Sequence, residues 1–236
     1  MKAIVLPAYN RPHYLRQTLE SINGAEEYHL YAAIDPSDKS KEIVDIIWEY
    51  KVKFAAIKCL SGTFRKGMIL NSFDAFAQCF IDGMHFAVCL EDDLWLSPDF
   101  FSLMDFYEKT YRDNPLAYGC YGGQGGNINT NAETLTEDCY FYGNGWAVFK
   151  ENWEKWFAPN WFSSDMALKH FNAVGNDWNI SGTFREYDVK MLIPTLARSK
   201  HIGVDGAHHN VAVFAKLCAD KIVNTEHCVK EFKLCE

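Results

Sequence analysis

Apolar runs of strand length alternate with amphipathic helical stripes through the first 111 residues, and this alternation limits the fold more than any other feature of the chain. Lys2 to Pro7 is a nearly unbroken apolar run, followed by a polar turn and by Pro12 to Ile22, where Leu15, Leu19 and Ile22 share one helical stripe. Tyr28 to Ile34 reads as a second strand ending at Asp35, and Ile43, Ile46, Ile47 and Tyr50 mark a helix near Lys41 to Tyr50. Lys53 to Lys58 reads as a third strand, and Ile69, Phe73, Phe76 and Phe80 give helical spacing over about Lys66 to Phe80. A further helix carries Phe100, Met104, Tyr107 and Tyr111 and is ended by Asn114-Pro115. The pattern predicts an α/β fold with a mainly parallel central sheet covered by helices on both faces.

The rhythm is lost after residue 115. Gly122-Gly123-Gln124-Gly125-Gly126 reads as a loop, and Asn127 to Glu137 is polar enough to predict a mobile segment. Cys139 to Tyr142 and Trp146 to Phe149 read as strands, and Glu151 to Phe157 as a short helix. No linker or internal repeat is visible, so a single domain over 1–236 is expected, with 211–236 as a tail of unassigned role.

Of the 236 residues, 48% are hydrophobic and 15% aromatic, enough for a substantial core, and the net charge of −8 without a long Lys/Arg cluster makes nucleic acid an unlikely partner. No apolar run approaches membrane-spanning length and the first residues are too short for a signal-peptide core, so a soluble, cytoplasmic protein is expected. The eight cysteines lack the paired spacing of a zinc ribbon or redox motif, and Cys218, His227, Cys228 and Cys235 are too irregular for a strong zinc site.

Chemistry is concentrated at Val88-Cys89-Leu90-Glu91-Asp92-Asp93, an apolar run that ends in three consecutive acids. In open α/β sheets ligands bind outside the carboxyl ends of the strands, and hard carboxylate ligands there suit Mg²⁺ or Mn²⁺ holding a diphosphate. The same acids can instead cap the helix that begins after Ser97-Pro98-Asp99.

Four segments stand in order along the chain: Ile4 through Asn10-Arg11-Pro12, then Leu90-Glu91-Asp92-Asp93 through Phe101, then Gly143-Asn144-Gly145-Trp146, and finally Asn176-Asp177-Trp178 with Pro194, Arg198 and Gly203 to His208 following. Together they resemble a glycosyltransferase of the GT-A fold, in particular the N-acetylglucosaminyltransferase I type and its smaller bacterial and viral relatives. The resemblance spans about residues 2–210 and implies a nucleotide-sugar-binding half over about 1–115 and an acceptor and catalytic half over about 116–210. It implies a metal-dependent, inverting enzyme that moves a sugar from a nucleotide diphosphate, most readily a UDP-sugar, to a hydroxyl of a glycan or related acceptor. A sugar-nucleotide pyrophosphorylase and a non-catalytic nucleotide-sugar or glycan-binding module are the alternatives.

By that resemblance Asp93 is the direct ligand of Mn²⁺ or Mg²⁺, Asp92 faces the ribose or a metal-bound water, and Glu91 faces the donor sugar. Arg11 is placed near the base or phosphates and Asp35 near the uracil or ribose. Arg65 and Lys66 precede a helix N-terminus that could meet the nucleotide, and Asn71 stands where the family pattern has a histidine. Asp177 is the candidate base, since inverting transfer needs one carboxylate to take the acceptor hydroxyl's proton; capping its own helix is the competing role. Asp165 is the alternative base. Trp146 and Trp178 are candidate walls for a sugar ring or core residues. His208, with His209 as substitute, is the candidate late metal ligand, and Arg198 and Lys200 either neutralise phosphate or solubilise a loop.

Overall fold

A computed structural model describes residues 1–110, 117–119, 131–204, 224–225 and 228–234. The first half runs β1 (Lys2–Ala8), α1 (Pro12–Ser21), β2 (Tyr28–Ile34), α2 (Ser40–Glu49), β3 (Ala56–Ser61), α3 (Gly67–Ile81), β4 (Phe86–Cys89), β5 (Leu94–Leu96) and α4 (Phe100–Thr110). Next come β6 (Ala117–Gly119), β7 (Thr134–Asp138), β8 (Trp146–Phe149), α5 (Lys150–Asn152), α6 (Asp165–Phe171), α7 (Asn176–Tyr187), β9 (Met191–Pro194), β10 (Ser199–His201) and β11 (Lys233–Leu234).

Among the described residues, nine strands form one sheet in the order β11-β7-β9-β6-β8-β4-β1-β2-β3. β1 pairs in parallel with β2 and β4, and β2 with β3, which is the parallel half expected from the alternation. β8 then runs antiparallel to both β4 and β6, and β7 antiparallel to β9, so the side of the sheet beyond β4 is mixed. Side chains of a strand alternate between faces, and β1 shows the result. Ile4 and Leu6 join a core cluster with Leu15, Ile43, Ile47 and Phe100, whereas Ala3 and Val5 join another with Phe76, Phe80, Trp146 and Trp153. Both faces are therefore covered by apolar side chains, as a fully buried parallel strand requires.

Three expectations need correction. The third strand begins at Ala56 rather than Lys53, because Lys51–Lys53 is a 3₁₀ turn in which Lys53 Nζ reaches back to the Glu20 and Ile22 carbonyls at 2.9 and 2.5 Å. A strand lies at Thr134–Asp138, overlapping the end of the segment expected to be mobile, whereas Cys139 to Tyr142 is not a strand. There Phe141 N–H donates to Ser181 Oγ at 3.1 Å and Tyr142 N–H to Met191 Sδ at 3.2 Å, so these donors are satisfied outside a ladder. Finally, the short helix expected at Glu151 to Phe157 is α5 followed by a π-helical turn, Trp153–Phe157, that buries both of its terminal aromatics.

Part of the tail belongs to the sheet: β11 pairs with β7, and Val229 and Phe232 are buried in the core. The glycine loop Gly122 to Gly126, His208 and His209, and Cys218, His227 and Cys235 lie outside the described residues. Cys59, Cys79, Cys89, Cys139 and Cys228 are free thiols. Among the described residues no helix is long and apolar enough to cross a membrane.

Candidate active site

β4 delivers its acids where the parallel strands end. Leu90 N–H still donates to Val5 O at 2.9 Å, after which Glu91, Asp92 and Asp93 leave the sheet. The turn that leaves β1 brings Arg11 across from them, where its Nη1 donates to Asp93 Oδ2 at 2.7 Å and its Nη2 to Asp92 Oδ1. Thr18 Oγ1 on α1 donates to the Asp92 carbonyl at 3.0 Å, fixing the backbone between the two carboxylates.

A two-stranded ribbon supplies the opposite wall. β5 and β10 pair antiparallel with His201 opposite Leu94, and Ile202 N–H donates to Asp93 O at 2.8 Å. His201 Nδ1 stands 3.3 Å from Asp93 Oδ1, and its Nε2 stands 3.4 Å from Glu91 Oε2 and 2.8 Å from Asn144 Oδ1. The contact between His201 Nε2 and Asn144 Oδ1 orients the ring so that Nδ1 faces Asp93. Gly203 is required by proximity, since a Cβ at that position would overlap Asp93 Oδ2.

Burial and charge act on these groups together. Glu91 is pushed up to about 7, first by burial and then by Asp93, Asp92 and Asp177, with His201 opposing. Asp92 is pushed up to about 6 by burial and by Asp93, against the pull of Arg11. Burial would also raise Asp93, but contact with His201 and the charges of His201 and Arg11 outweigh it and hold this carboxyl below its ordinary value. His201 is raised: burial opposes its charged form, and Asp93 and Glu91 more than compensate.

Ligand atoms of Glu91, Asp93 and His201 all lie within 4.8 Å of one another. Asp93 Oδ1 is buried and receives no well-directed hydrogen bond. Two carboxylates, one imidazole and a buried oxygen of this kind fit a divalent cation, the nitrogen favouring Mn²⁺ over the harder Mg²⁺.

The structure thus brings together Arg11, Glu91, Asp92 and Asp93. Asp177, in the first turn of α7, is exposed and close enough for its charge to raise Glu91. It does not cap α7: the cap position is Gly175, and no side-chain hydrogen bond is made there. Asp165 likewise sits exposed in the first turn of α6.

Other candidates have structural tasks. Asp35 accepts the backbone N–H groups of Lys66 and Gly67 at 3.0 and 2.8 Å, so it caps α3. Asn71 is buried and donates to Ala33 O at 2.7 Å, tying α3 to β2. Arg65 is exposed, with its guanidinium 4.2 Å over the Tyr9 ring. Lys66 pairs with Asp74 at 2.6 Å. Trp146 does not wall a sugar: it is 2% exposed and stacks on Phe157 at 4.9 Å and on Phe76 at 5.2 Å. Arg198 is fully buried against Asp99 at 3.0 Å and donates to the Leu196 and Ala132 carbonyls, so it neither meets phosphate nor solubilises a loop. Lys200 Nζ lies 5.3 Å over the Trp95 ring. Nothing local in the sequence marks His201 beyond a histidine two residues before Gly203.

The fold is shared with Staphylococcus aureus TarS residues 1–349 at a TM-score of 0.58 and 11% identity, covering 82% of this chain and 58% of that one. A mannosyltransferase from Pyrobaculum calidifontis, solved with GDP-Man and Mn²⁺, aligns at a TM-score of 0.53 and 13% identity over 84% of this chain and 57% of that one. GalNAc-T7, solved with UDP, GalNAc and Mn²⁺, aligns at 0.58 and 12% identity over 85% of this chain and 43% of its own. The chain therefore spans less than two thirds of each of these structures. No curated protein matches it in sequence. The model of the family described as "Glycosyl transferase family 2" matches residues 3–192, most of the 236-residue sequence and all of the sheet from β1 into β9, and the chain belongs to glycosyl transferase family 2.

Proposed function

We propose that this chain transfers a hexosyl or N-acetylhexosaminyl group from a nucleotide diphosphate, most readily UDP, to a hydroxyl of a glycan or related acceptor, with inversion at the anomeric carbon. The observation that carries this reading is the convergence of Glu91, Asp93 and His201, from β4 and the β5–β10 ribbon, at the carboxyl ends of the parallel strands. It is supported by TarS solved with UDP-GlcNAc and by the mannosyltransferase solved with GDP-Man and Mn²⁺. The motifs similar to the N-acetylglucosaminyltransferase I type favour UDP and an N-acetylhexosamine.

Glu91, Asp93 and His201 would hold the divalent cation, which when bound neutralises charge on the departing diphosphate. Arg11, now paired with Asp92 and Asp93, is positioned to turn its guanidinium onto a phosphate oxygen as that charge develops. Asp177 accepts the proton of the attacking hydroxyl from the face opposite the diphosphate; its exposure and lack of a capping bond leave the carboxylate available.

The test is binding and slow hydrolysis across UDP-, GDP-, CMP- and dTDP-sugars with Mn²⁺, Mg²⁺ or EDTA. Metal-dependent binding with release of one nucleotide is expected. Absence of binding to all four, with and without metal, would leave the three acids as structural groups.

A further inference from the structure

We propose that the end of the chain is a clamp on the ribbon that carries His201: Arg198 and Phe232, neither of them a candidate ligand, position that imidazole against Asp93 and thereby set the affinity for the cation. The inference rests on the reading of Glu91, Asp93 and His201 as cation ligands, and it gives the tail a role.

The ribbon does not hold itself in place. β5 and β10 have three residues each, and a two-stranded ribbon by itself is marginally stable at best. His201, the last residue of β10, therefore depends on what grips the start of that strand, which the chain enters through Arg198. Arg198 and Asp99 are both fully buried. Arg198 Nε donates to the two Asp99 oxygens at 3.0 Å, Nη1 donates to the Leu196 carbonyl and Nη2 to the Ala132 carbonyl. Ser97 closes the group, its N–H donating to Arg198 O at 2.9 Å and its Oγ to Asp99 Oδ1 at 2.8 Å. A guanidinium is planar and its donors diverge at fixed angles. Partners in these directions fix the entry to β10 relative to β5, to the start of α4 and to the turn before β7.

The tail grips the same point. Phe232 is buried, with its ring 5.6 Å from the Arg198 guanidinium carbon and 5.2 Å from the Phe106 ring on α4. Lys233 N–H donates to Glu133 O at 2.9 Å, next to the Ala132 carbonyl that Arg198 uses, and Asn224 N–H donates to Ala197 O at 3.0 Å. From Arg198 the constraint runs along β10. Ser199 stands opposite Leu96 and its Oγ donates to Asn144 O at 2.6 Å, while His201 stands opposite Leu94 and 3.3 Å from Asp93.

A buried ion pair adds little net stability over apolar side chains of the same volume. What this one supplies is fixed geometry, and a ligand set tolerates displacements of only about 0.5 Å. Loosening Arg198 or the ring packed on it moves the imidazole without touching any ligand.

The experiment titrates Mn²⁺ into the unaltered protein, Arg198→Lys and Phe232→Leu, with circular dichroism and melting curves confirming that each is folded at the temperature used. Electron spin-echo spectra at saturating Mn²⁺ then report the coupling of the ion to an imidazole nitrogen. Arg198→Lys keeps the charge and loses the fork, and Phe232→Leu keeps an apolar side chain and loses the ring. Both should weaken Mn²⁺ by ~10-fold or more and diminish the nitrogen coupling seen in the unaltered protein. Phe232→Leu, the milder change, tests the clamp if Arg198→Lys does not fold. A merely structural role would lower the melting temperature and leave the affinity of the folded protein unchanged. An unchanged affinity in either folded variant, or a weakened affinity with the nitrogen coupling at full strength, overturns the proposal. If the unaltered protein binds no Mn²⁺, the cation-site reading fails and the proposal with it.

Discussion

His201 and Gly203 work as a pair, one bringing an imidazole to Asp93 and the other letting the backbone pass beside the same carboxylate. Replacing Gly203 by Ala pushes a methyl group into Asp93 Oδ2, and we expect Mn²⁺ affinity to fall with little loss of secondary structure, measured by metal titration beside circular dichroism. His201→Ala should weaken Mn²⁺ by ~100-fold or more, while Asn144→Ala, which removes a partner that orients the ring, should have a smaller effect, ~10-fold, in the same direction. An unchanged metal affinity in His201→Ala would remove the imidazole from the site. The acids and Arg11 were legible because a strand ending in carboxylates and an Asn-Arg-Pro turn are local patterns. His201 was not: its significance comes from pairing Ser199–His201 with Leu94–Leu96, about a hundred residues earlier in the chain. Trp146 shows the converse, since a glycine-flanked tryptophan does not reveal which face of β8 it occupies.

At the scale of elements, the position of Asp177 and Trp178 depends on how α7 docks on α6. Asn179 is fully buried, its Oδ1 accepting from Met166 and Ala167 N–H at 2.9 and 3.2 Å and its Nδ2 donating to Asn160 O at 2.8 Å. One turn further on, Gly182 lies so close to the Met166 carbonyl that a Cβ would overlap it. Asn179→Ala leaves buried backbone donors unsatisfied and should cost about 1–3 kcal/mol in denaturant unfolding. Gly182→Ala should cost a similar amount, about 1–3 kcal/mol, by separating the helices. Stability unchanged in both variants would contradict the described packing. The elements up to α4 were legible because β1 and β2 are continuous apolar runs and the helices carry regular stripes. The second half was less so: β7 is a polar edge-side strand in which Leu135 is fully buried, and α5 runs into a π turn that breaks helical spacing.

For the whole molecule, the cluster carries an energetic cost that depends on pH. Glu91, raised to about 7, Asp92, raised to about 6, and His201, also raised, each hold a proton more tightly folded than unfolded. Their stabilisation is fully present below the unfolded values and is lost as pH rises through the folded ones. Asp93 is shifted downward, so its contribution is lost only as pH falls below the ordinary carboxylate range. The metal-free protein should therefore melt at a lower temperature at about pH 8 than at about pH 5, by a few degrees at ~2–4 °C per kcal/mol. Added Mn²⁺ should raise the melting temperature more at the higher pH, where the carboxylates are ionised. A melting temperature that rises steadily over this interval would contradict the burial of these acids. The measurement that bears most directly on the account is calorimetric titration of UDP into the unaltered protein and Asp93→Asn, each with Mn²⁺ or EDTA. Binding seen only for the unaltered protein with Mn²⁺ is the predicted result; UDP bound equally in EDTA, or equally by Asp93→Asn, would contradict it.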